Sequence, residues 1–372
     1  MPRKTNKPDL VLVAAIVILV FLGILVLASV SAAFSRQKTG STLFFLNHQL
    51  LFGLLPGLVL GAIAYVLPLK LLKEKSPLLL LASLAVMGAV FLPVIGGAAG
   101  GASRWIFLGP FSFQPSELLK LTFIIYLAAW LDSRTEKRNI GKGKNPEFWQ
   151  TLVPFLAILG VVTGLLLLQR DLGTLIVLTL IAGIMYFSAK TPLSHILGLG
   201  GLAIAALLLF IKVAPYRMER VRVFLDPSLD PLGSGYQIKQ ALIAIGSGGV
   251  IGRGLGLSVQ KFGFLPQPMS DSIFAVFAEE AGFIGAAILV LLFLLFALRG
   301  FFVASMIEDR FPKLLAIGVI SWISVQAFMN IGALTGILPL TGIPLPFLSY
   351  GGSALVCELI GIGILLNASK NA

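Results

Sequence analysis

Runs of about 20 apolar residues recur along the whole chain, and each is long enough to cross the hydrocarbon core of a bilayer as a helix. Inside lipid a backbone can be satisfied only within helices or closed barrels. Helix-length runs therefore dictate an all-α polytopic membrane protein. Composition agrees: 57% of the 372 residues are hydrophobic and only 12% charged, where a soluble domain has roughly twice that charged fraction. The 40 Gly and 20 Pro would weaken soluble helices. Membrane bundles use small residues for close packing, and neighbouring helices re-satisfy broken backbone bonds. The chain from 1 to 372 reads as a single membrane domain with no soluble module large enough to act alone.

About ten spans are expected, over roughly 9–34, 47–69, 76–96, 117–131, 150–168, 172–189, 193–212, 272–298, 313–336 and 347–368. The first run is too long for a signal-peptide core and reads as an anchor, although Ser31-Ala32-Ala33 would suit cleavage. Basic residues set the orientation. Arg3, Lys4 and Lys7, then Lys70, Lys73 and Lys75, then Arg134, Lys137, Arg138, Lys142 and Lys144, then Arg310 and Lys313 fall on one side if both termini are cytoplasmic. The short loops opposite carry fewer: Arg36 and Lys38, Arg104, and Arg170. The net charge of +12 is thus topology and attraction to anionic lipid. It does not mark nucleic-acid binding, because no basic stretch interleaved with exposed aromatics sits on a soluble module. Cys357 is the single cysteine, which excludes an internal disulfide. His48 and His195 are far apart, which speaks against a histidine metal site.

Polar residues concentrate in a few places. A long extracytoplasmic loop, 213–271, is expected between spans seven and eight. It holds Arg217, Glu219, Arg220 and Arg222, the turns Asp226-Pro227 and Asp230-Pro231, and an amphipathic run from Ile238 through Lys239 to Ile243 that suits an interface. Such a loop is either functional or a solvated connection with Asp-Pro turns. The Gly-rich piece from Gly246 to Gly254 suits a turn for close backbone packing better than a phosphate cradle, since no Rossmann-type strand and helix flank it. Asp271 directly precedes a span, where it fits a helix N-cap or a reactive carboxylate. Glu279 and Glu280 lie two turns deeper and are either functional or partners in a packing salt bridge.

A second group opens the fourth span, in Gln114-Pro115-Ser116-Glu117-Leu118-Leu119-Lys120. Glu117 and Lys120 share a helix face. Lys120 lies in an apolar run and needs a partner: Glu117 alone, a substrate phosphate, or Asp271. Gly100 to Trp105 sets Arg104 beside an interfacial aromatic, and Gln169-Arg170-Asp171 forms a charged hairpin. The stretch Pro344 to Ser353, including Ser349, opens the last span with two Pro and two Gly, a pattern of a broken or re-entrant helix lining a cavity.

In this order, Gly101-Ala102-Ser103-Arg104-Trp105, Gln114 to Lys120, Asp171-Leu172-Gly173-Thr174, Phe224-Leu225-Asp226-Pro227 and Gly235-Tyr236-Gln237 resemble the SEDS family. These are the polytopic proteins of bacterial shape, elongation, division and sporulation. The likeness continues through Gln240 to Gly249, Gln260-Lys261, Phe264-Leu265-Pro266, Asp271 with Ile273-Phe274-Ala275, Glu279-Glu280 and Pro344 to Ser353, so it covers nearly the whole chain. Thr341-Gly342-Ile343-Pro344 and Leu348-Ser349 look more like the division-type branch than the elongation-type branch. The chain departs from the pattern at Pro266-Gln267-Pro268-Met269, where many members carry Glu and His, and at Ser272, where Phe is usual. The acid itself is kept.

The resemblance implies ten membrane helices and a peptidoglycan glycosyltransferase that polymerises lipid II, in division or elongation, at the outer face of the bacterial cytoplasmic (inner) membrane. It marks Asp271 as essential, and Glu117 and Lys120 as the matching pair of the fourth helix. It also implies a class B penicillin-binding protein transpeptidase as partner, alongside other division or elongation proteins and membrane lipid. On that reading Arg104, Lys120, Arg217 and Lys239 are the cations to set near the diphosphate leaving group, Ser349 lines the substrate site, and Asp271 is the general base. One displacement with one base implies inversion at the anomeric carbon, by analogy with inverting glycosidases. A divalent cation is left open as an aid to the diphosphate, with no ligands assigned. The rival functions are a flippase for the same lipid-linked precursor and a non-catalytic cell-wall scaffold.

Overall fold

The computed structural model describes residues 8–92, 96–99, 102–108, 111–137, 152–189, 222–230 and 233–370, with positions 198 and 201. Helix α1 is Leu10–Thr39; Asp9 caps its start, accepting from the Leu12 N–H at 2.9 Å, and Gly40 ends it in the left-handed conformation. Helix α2, Phe44–Gln49, runs through a π-turn at Leu50–Leu54 into α3, Leu55–Val66. Next come α4 (Leu69–Ala89), α5 (Pro115–Lys137), α6 (Val153–Leu168) and α7 (Leu172–Ser188). A 3₁₀ turn at Pro227–Leu229 precedes α8 (Ser234–Ser247), α9 (Ile273–Met306), α10 (Arg310–Leu334) and α11 (Gly352–Ser369). Five of these segments are long and apolar enough to cross a membrane: α1, α2 through α3, α9, α10 and α11. Helices α6 and α7 are shorter apolar helices. The expected seventh span, 193–212, apart from positions 198 and 201, and Arg217 lie outside the described residues.

The helix at the third expected span, 76–96, starts and ends earlier than expected. Helix α4 stops at Ala89, and Gly96–Ala99 is instead β1 of a three-stranded antiparallel sheet with β2 (Ala102–Leu108) and β3 (Phe111–Phe113). Pro93 and the pair Gly96-Gly97 cannot sustain a helix, and the sequence between Ala102 and Phe113 is rich in residues suited to strands. The described fold is therefore helical with a small sheet, not purely α.

Helix α10 is the axis of the bundle. It is buried along nearly its whole length and packs against α5, α7, α8, α9 and α11. Helix α1 packs on α9, α3 on α11 and α4 on α5. Glycine lets α3 and α11 touch backbone to backbone: a Cβ on Gly363 would stand 2.1 Å from the Gly61 carbonyl oxygen. This is small-residue packing of the membrane kind.

Helix α9 breaks at Gly282 (φ 68, ψ −169). The Gly-rich segment docks into that break. Arg253 and Gly254 donate their N–H groups to the Glu279 and Glu280 carbonyls, each at 3.0 Å, and Phe283 donates to Gly249 at 2.9 Å. Those amides are committed to protein carbonyls, so the packing reading of this segment holds and the phosphate-cradle reading fails. Gly252 is left-handed (φ +82), and a Cβ there would lie 2.2 Å from the Glu280 carbonyl oxygen, whereas Gly249 (φ +56) faces open space. A left-handed non-Gly residue costs about 1–2 kcal/mol, and overlap with backbone adds about 1–3 kcal/mol more. Gly252→Ala is thus expected to lower the melting temperature of detergent-solubilised protein clearly more than Gly249→Ala. Equal losses would place the segment's stability elsewhere.

The two glutamates of α9 bind this same loop. Glu279 accepts from the Ser258 hydroxyl at 2.5 Å and the Val259 N–H at 3.1 Å, and pairs with Arg253 at 3.4 Å. Glu280 pairs with Lys261 at 2.8 Å and accepts from the Ser29 hydroxyl of α1 at 2.5 Å. Of the two readings open in the sequence, the geometry supports the packing salt bridge.

Candidate active site

Asp271 sits in the turn that leads into α9. The N-cap of α9 is Ser272, and its hydroxyl donates to the Pro266 carbonyl at 2.8 Å. The Asp271 carboxylate is therefore not a helix cap, and it belongs to none of the described salt bridges. Its side chain is half-buried. Burial pushes its pKa up from an ordinary 3.8 to about 6; the Arg104 charge and the Ser270 hydroxyl oppose the rise, and the Asp171 charge adds to it.

The turn is held by its backbone. The Asp271 carbonyl accepts from the Asn330 side-chain amide of α10 at 2.8 Å. A strap from Thr341 to Tyr350 lies over it, close enough that a Cβ on Gly342 would stand 3.4 Å from Asp271 Oδ2. The strap grips the preceding residues: the Ser349 hydroxyl donates to the Ser270 carbonyl at 2.6 Å, and the Tyr350 N–H to the Met269 carbonyl at 2.8 Å. Ser349 also accepts from the Leu345 N–H at 2.8 Å. Its hydroxyl is a bracket of the strap. The strap's far end is braced by α2, where Gln49 accepts from the Gly351 N–H at 3.1 Å. Beside it His48 hydrogen-bonds the Tyr350 hydroxyl at 3.0 Å.

Arg104 projects from β2. Its guanidinium donates to the Gln169 carbonyl at 3.5 Å and to the Arg170 carbonyl. These partners are neutral, so they fix the group while leaving its positive charge to act on Asp271. Asp171 follows in the same turn and caps α7, accepting from the Thr174 hydroxyl at 2.9 Å and the Thr174 N–H at 3.3 Å. The sheet and the α6–α7 turn thus bring Arg104 and Asp171 into electrostatic reach of Asp271, three residues distant in sequence.

Lys120 is elsewhere. It is fully buried, pairs with Glu117 at 2.8 Å, donates to Gln326 Oε1 at 2.7 Å, and lies 5.1 Å from the Trp322 ring centre. Glu117 is equally buried. The pair is internal, held between α5 and α10. Lys239 stands exposed on α8, opposite the face of Ile238, Ala241 and Ala244 that packs inward. Among the described residues no three His, Cys, Asp or Glu gather as metal ligands.

Sequence reading missed Gln49, Gln326, Asn330 and Glu358. The last accepts from the Phe347 N–H at 2.9 Å and holds Phe347 in the left-handed region (φ 65). All four are buried polar residues on apolar helices, a signal available from sequence because such residues rarely lie in spans without a partner.

Together these features define a class: multi-pass membrane proteins whose ionisable groups converge where helices break and straps cross. The chain belongs to the FtsW/RodA/SpoVE family of cell cycle proteins, whose family model matches residues 9–372. It is 38% identical over 367 residues to the probable peptidoglycan glycosyltransferase FtsW of Geobacter sp. (strain M18), covering 99% of this chain and 98% of that protein. It is likewise 38% identical to the stage V sporulation protein E of Bacillus subtilis (strain 168), covering 100% and 99%. Among solved structures, a chain from work on the structural coordination of polymerization and crosslinking by a peptidoglycan synthase complex matches with TM-score 0.80 and 30% identity, covering 97% of each chain. The rod shape determining protein RodA of Thermus thermophilus matches with TM-score 0.69 and 28% identity, covering 97% of this chain and 96% of that one.

Proposed function

We propose that this chain is a peptidoglycan glycosyltransferase that polymerises lipid II into glycan strands at the outer face of the cytoplasmic membrane, with Asp271 as general base. One observation carries the reading: a carboxylate fixed by its backbone, bound to no helix cap or described ion pair, with a guanidinium held near it by neutral carbonyls. In the reaction the acceptor sugar's hydroxyl oxygen bonds to the donor's anomeric carbon. The bond from that carbon to the diphosphate breaks, polyprenyl diphosphate leaves, and the hydroxyl proton passes to Asp271. A single displacement inverts the anomeric centre. Diphosphate needs neutralisation more than a proton, and Arg104 is the cation best placed for it. Arg217 and Lys239, on the outer loop, are proposed to meet the same substrate.

The topology that serves this chemistry has ten spans, both termini in the cytoplasm, and the 213–271 loop outside. The placement of Asp271 and the strap at the starts of α9 and α11, with Arg104 on β2 bound to the α6–α7 turn, supports it. A class B penicillin-binding protein is the proposed partner, in line with the likeness to a chain of a peptidoglycan synthase complex.

Purified protein reconstituted with lipid II in vesicles, with and without the partner, is expected to yield glycan strands resolved by gel electrophoresis. Movement of lipid II across the vesicle bilayer without polymer would instead establish the flippase reading. Neither product, from protein that binds the partner normally, would leave the scaffold.

A further inference from the structure

Helix α10 carries Trp322, Gln326 and Asn330 at intervals of four, a spacing that aligns them on one face. All three are buried, and none is placed at the reacting atoms in the chemistry above. We propose that Asn330 is the positioning residue of Asp271, and that Gln326 ties the same clamp to the buried Glu117–Lys120 pair. This rests on the reading of Asp271 as general base and adds what aims it.

One amide nitrogen does the joining. Asn330 Nδ2 donates to the Asp271 carbonyl at 2.8 Å and to the Ile343 carbonyl at 2.7 Å, so it fastens the turn that bears the acid to the strap that covers it. The amide's orientation is decided by its partners, since the flipped form would set an oxygen against two carbonyls. One helical turn earlier, Gln326 Nε2 donates to the Pro344 carbonyl at 3.0 Å. Its oxygen accepts from Lys120 at 2.7 Å and from the Trp322 indole at 2.9 Å. The strap then returns to the acid's turn through Ser349 and Tyr350. The circuit closes: α10 holds 343 and 344, and 349 and 350 hold 270 and 269.

The chemistry favours a grip on backbone. A donor placed on the carboxylate would stabilise its charge and weaken it as a base. A donor on the carbonyl of the same residue fixes the direction of the side chain without itself occupying a carboxylate oxygen. Lys120, too deeply buried to reach a diphosphate, acts through Gln326 on the strap.

The test uses the full chain with its class B partner and follows polymerisation against lipid II concentration and pH. Asn330→Asp keeps the shape and removes the donor; Asn330→Ala removes both. Each is expected to lower kcat by roughly 10- to 100-fold, the scale of an ångström-sized misplacement, with KM changed less than about threefold. Asn330→Asp is also expected to move the acid limb of the rate profile to higher pH, because its charge opposes ionisation of Asp271. If either variant fails to form monodisperse protein, Asn330→Ser, whose short hydroxyl cannot donate to both carbonyls, replaces it with the same expectation for kcat. Unchanged kcat, or equal changes in kcat and KM with an unmoved acid limb, overturns the proposal. Asp271→Asn run in parallel separates the two readings. An inactive Asp271→Asn beside fully active Asn330 variants removes only the positioning role, whereas an active Asp271→Asn removes the general base and the positioning role with it.

Discussion

Asp271→Asn is expected to stop glycan-strand formation, with a loss of roughly 10²- to 10⁴-fold, the range for removing a positioned general base. The amide has the same shape and accepts no proton. The wild-type rate carries a second signature. A base works only when ionised, and burial has raised the pKa of Asp271 to about 6. The rate is therefore expected to be level at neutral pH and to fall about tenfold per unit below pH 6, not below pH 4 where an ordinary carboxylate titrates. Arg104 lowers this pKa, so Arg104→Gln is expected to move the limb upward as well as slow the reaction. Folding runs the other way. Because the folded pKa is raised, ionisation is disfavoured in the folded state, and stability declines as pH climbs from 3.8 through 6. Asp271→Asn removes that cost, so the inactive protein is expected to melt at or above the wild-type temperature at pH 7.5. A mutant that polymerises at the normal rate, or a limb near pH 4, would remove Asp271 from the reaction.

Much of the scaffold was legible because lipid leaves the chain few options. Apolar runs announced α1, α3, α9, α10 and α11, and the prolines and glycines from Pro344 to Gly352 announced a broken entry to the last helix, which became the strap. The sheet from Gly96 to Phe113 was not legible, since Gly-Gly-Ala-Ala has no polar residue to alternate and three-residue β3 is too short to show a two-residue repeat. The site divides in the same way. Asp271 stood out through the family pattern, while spacing alone left a helix cap open; Ser272 as cap settled that point. Glu279 and Glu280 looked like candidates for chemistry because carboxylates in spans are rare. Their partners, Arg253 and Lys261, come from a loop about 20 residues upstream that sequence could not fold back onto α9. Asn330 was hidden for the opposite reason. A neutral amide in an apolar helix signals that it has a partner but not which one, and the partner appears only when the strap is placed across from it.

Lys120→Met is expected to destabilise the protein by about 3–5 kcal/mol, the usual result of removing one member of a buried ion pair. Glu117 would keep its charge at a site with no solvent, and Gln326 would lose the stronger of its two donors. Lys120→Arg is expected to be little better, because a planar guanidinium needs more room than an ammonium sealed between Glu117, Gln326 and the Trp322 ring. The double change Glu117→Gln with Lys120→Met removes both charges together. It is expected to recover most of the lost stability, since the penalty lies in the orphaned charge and not in the absence of the pair. Thermal melting of the four proteins, wild type, two single variants and the double, forms the cycle that isolates this coupling. Activity need not follow stability. The double variant restores the fold without restoring the charge-assisted bond from Lys120 to Gln326, so its strap stays less firmly held and kcat is expected to remain low while KM stays near normal. A Lys120 that instead bound diphosphate would give the reverse pattern: Lys120→Met would melt like wild type, with its defect in KM.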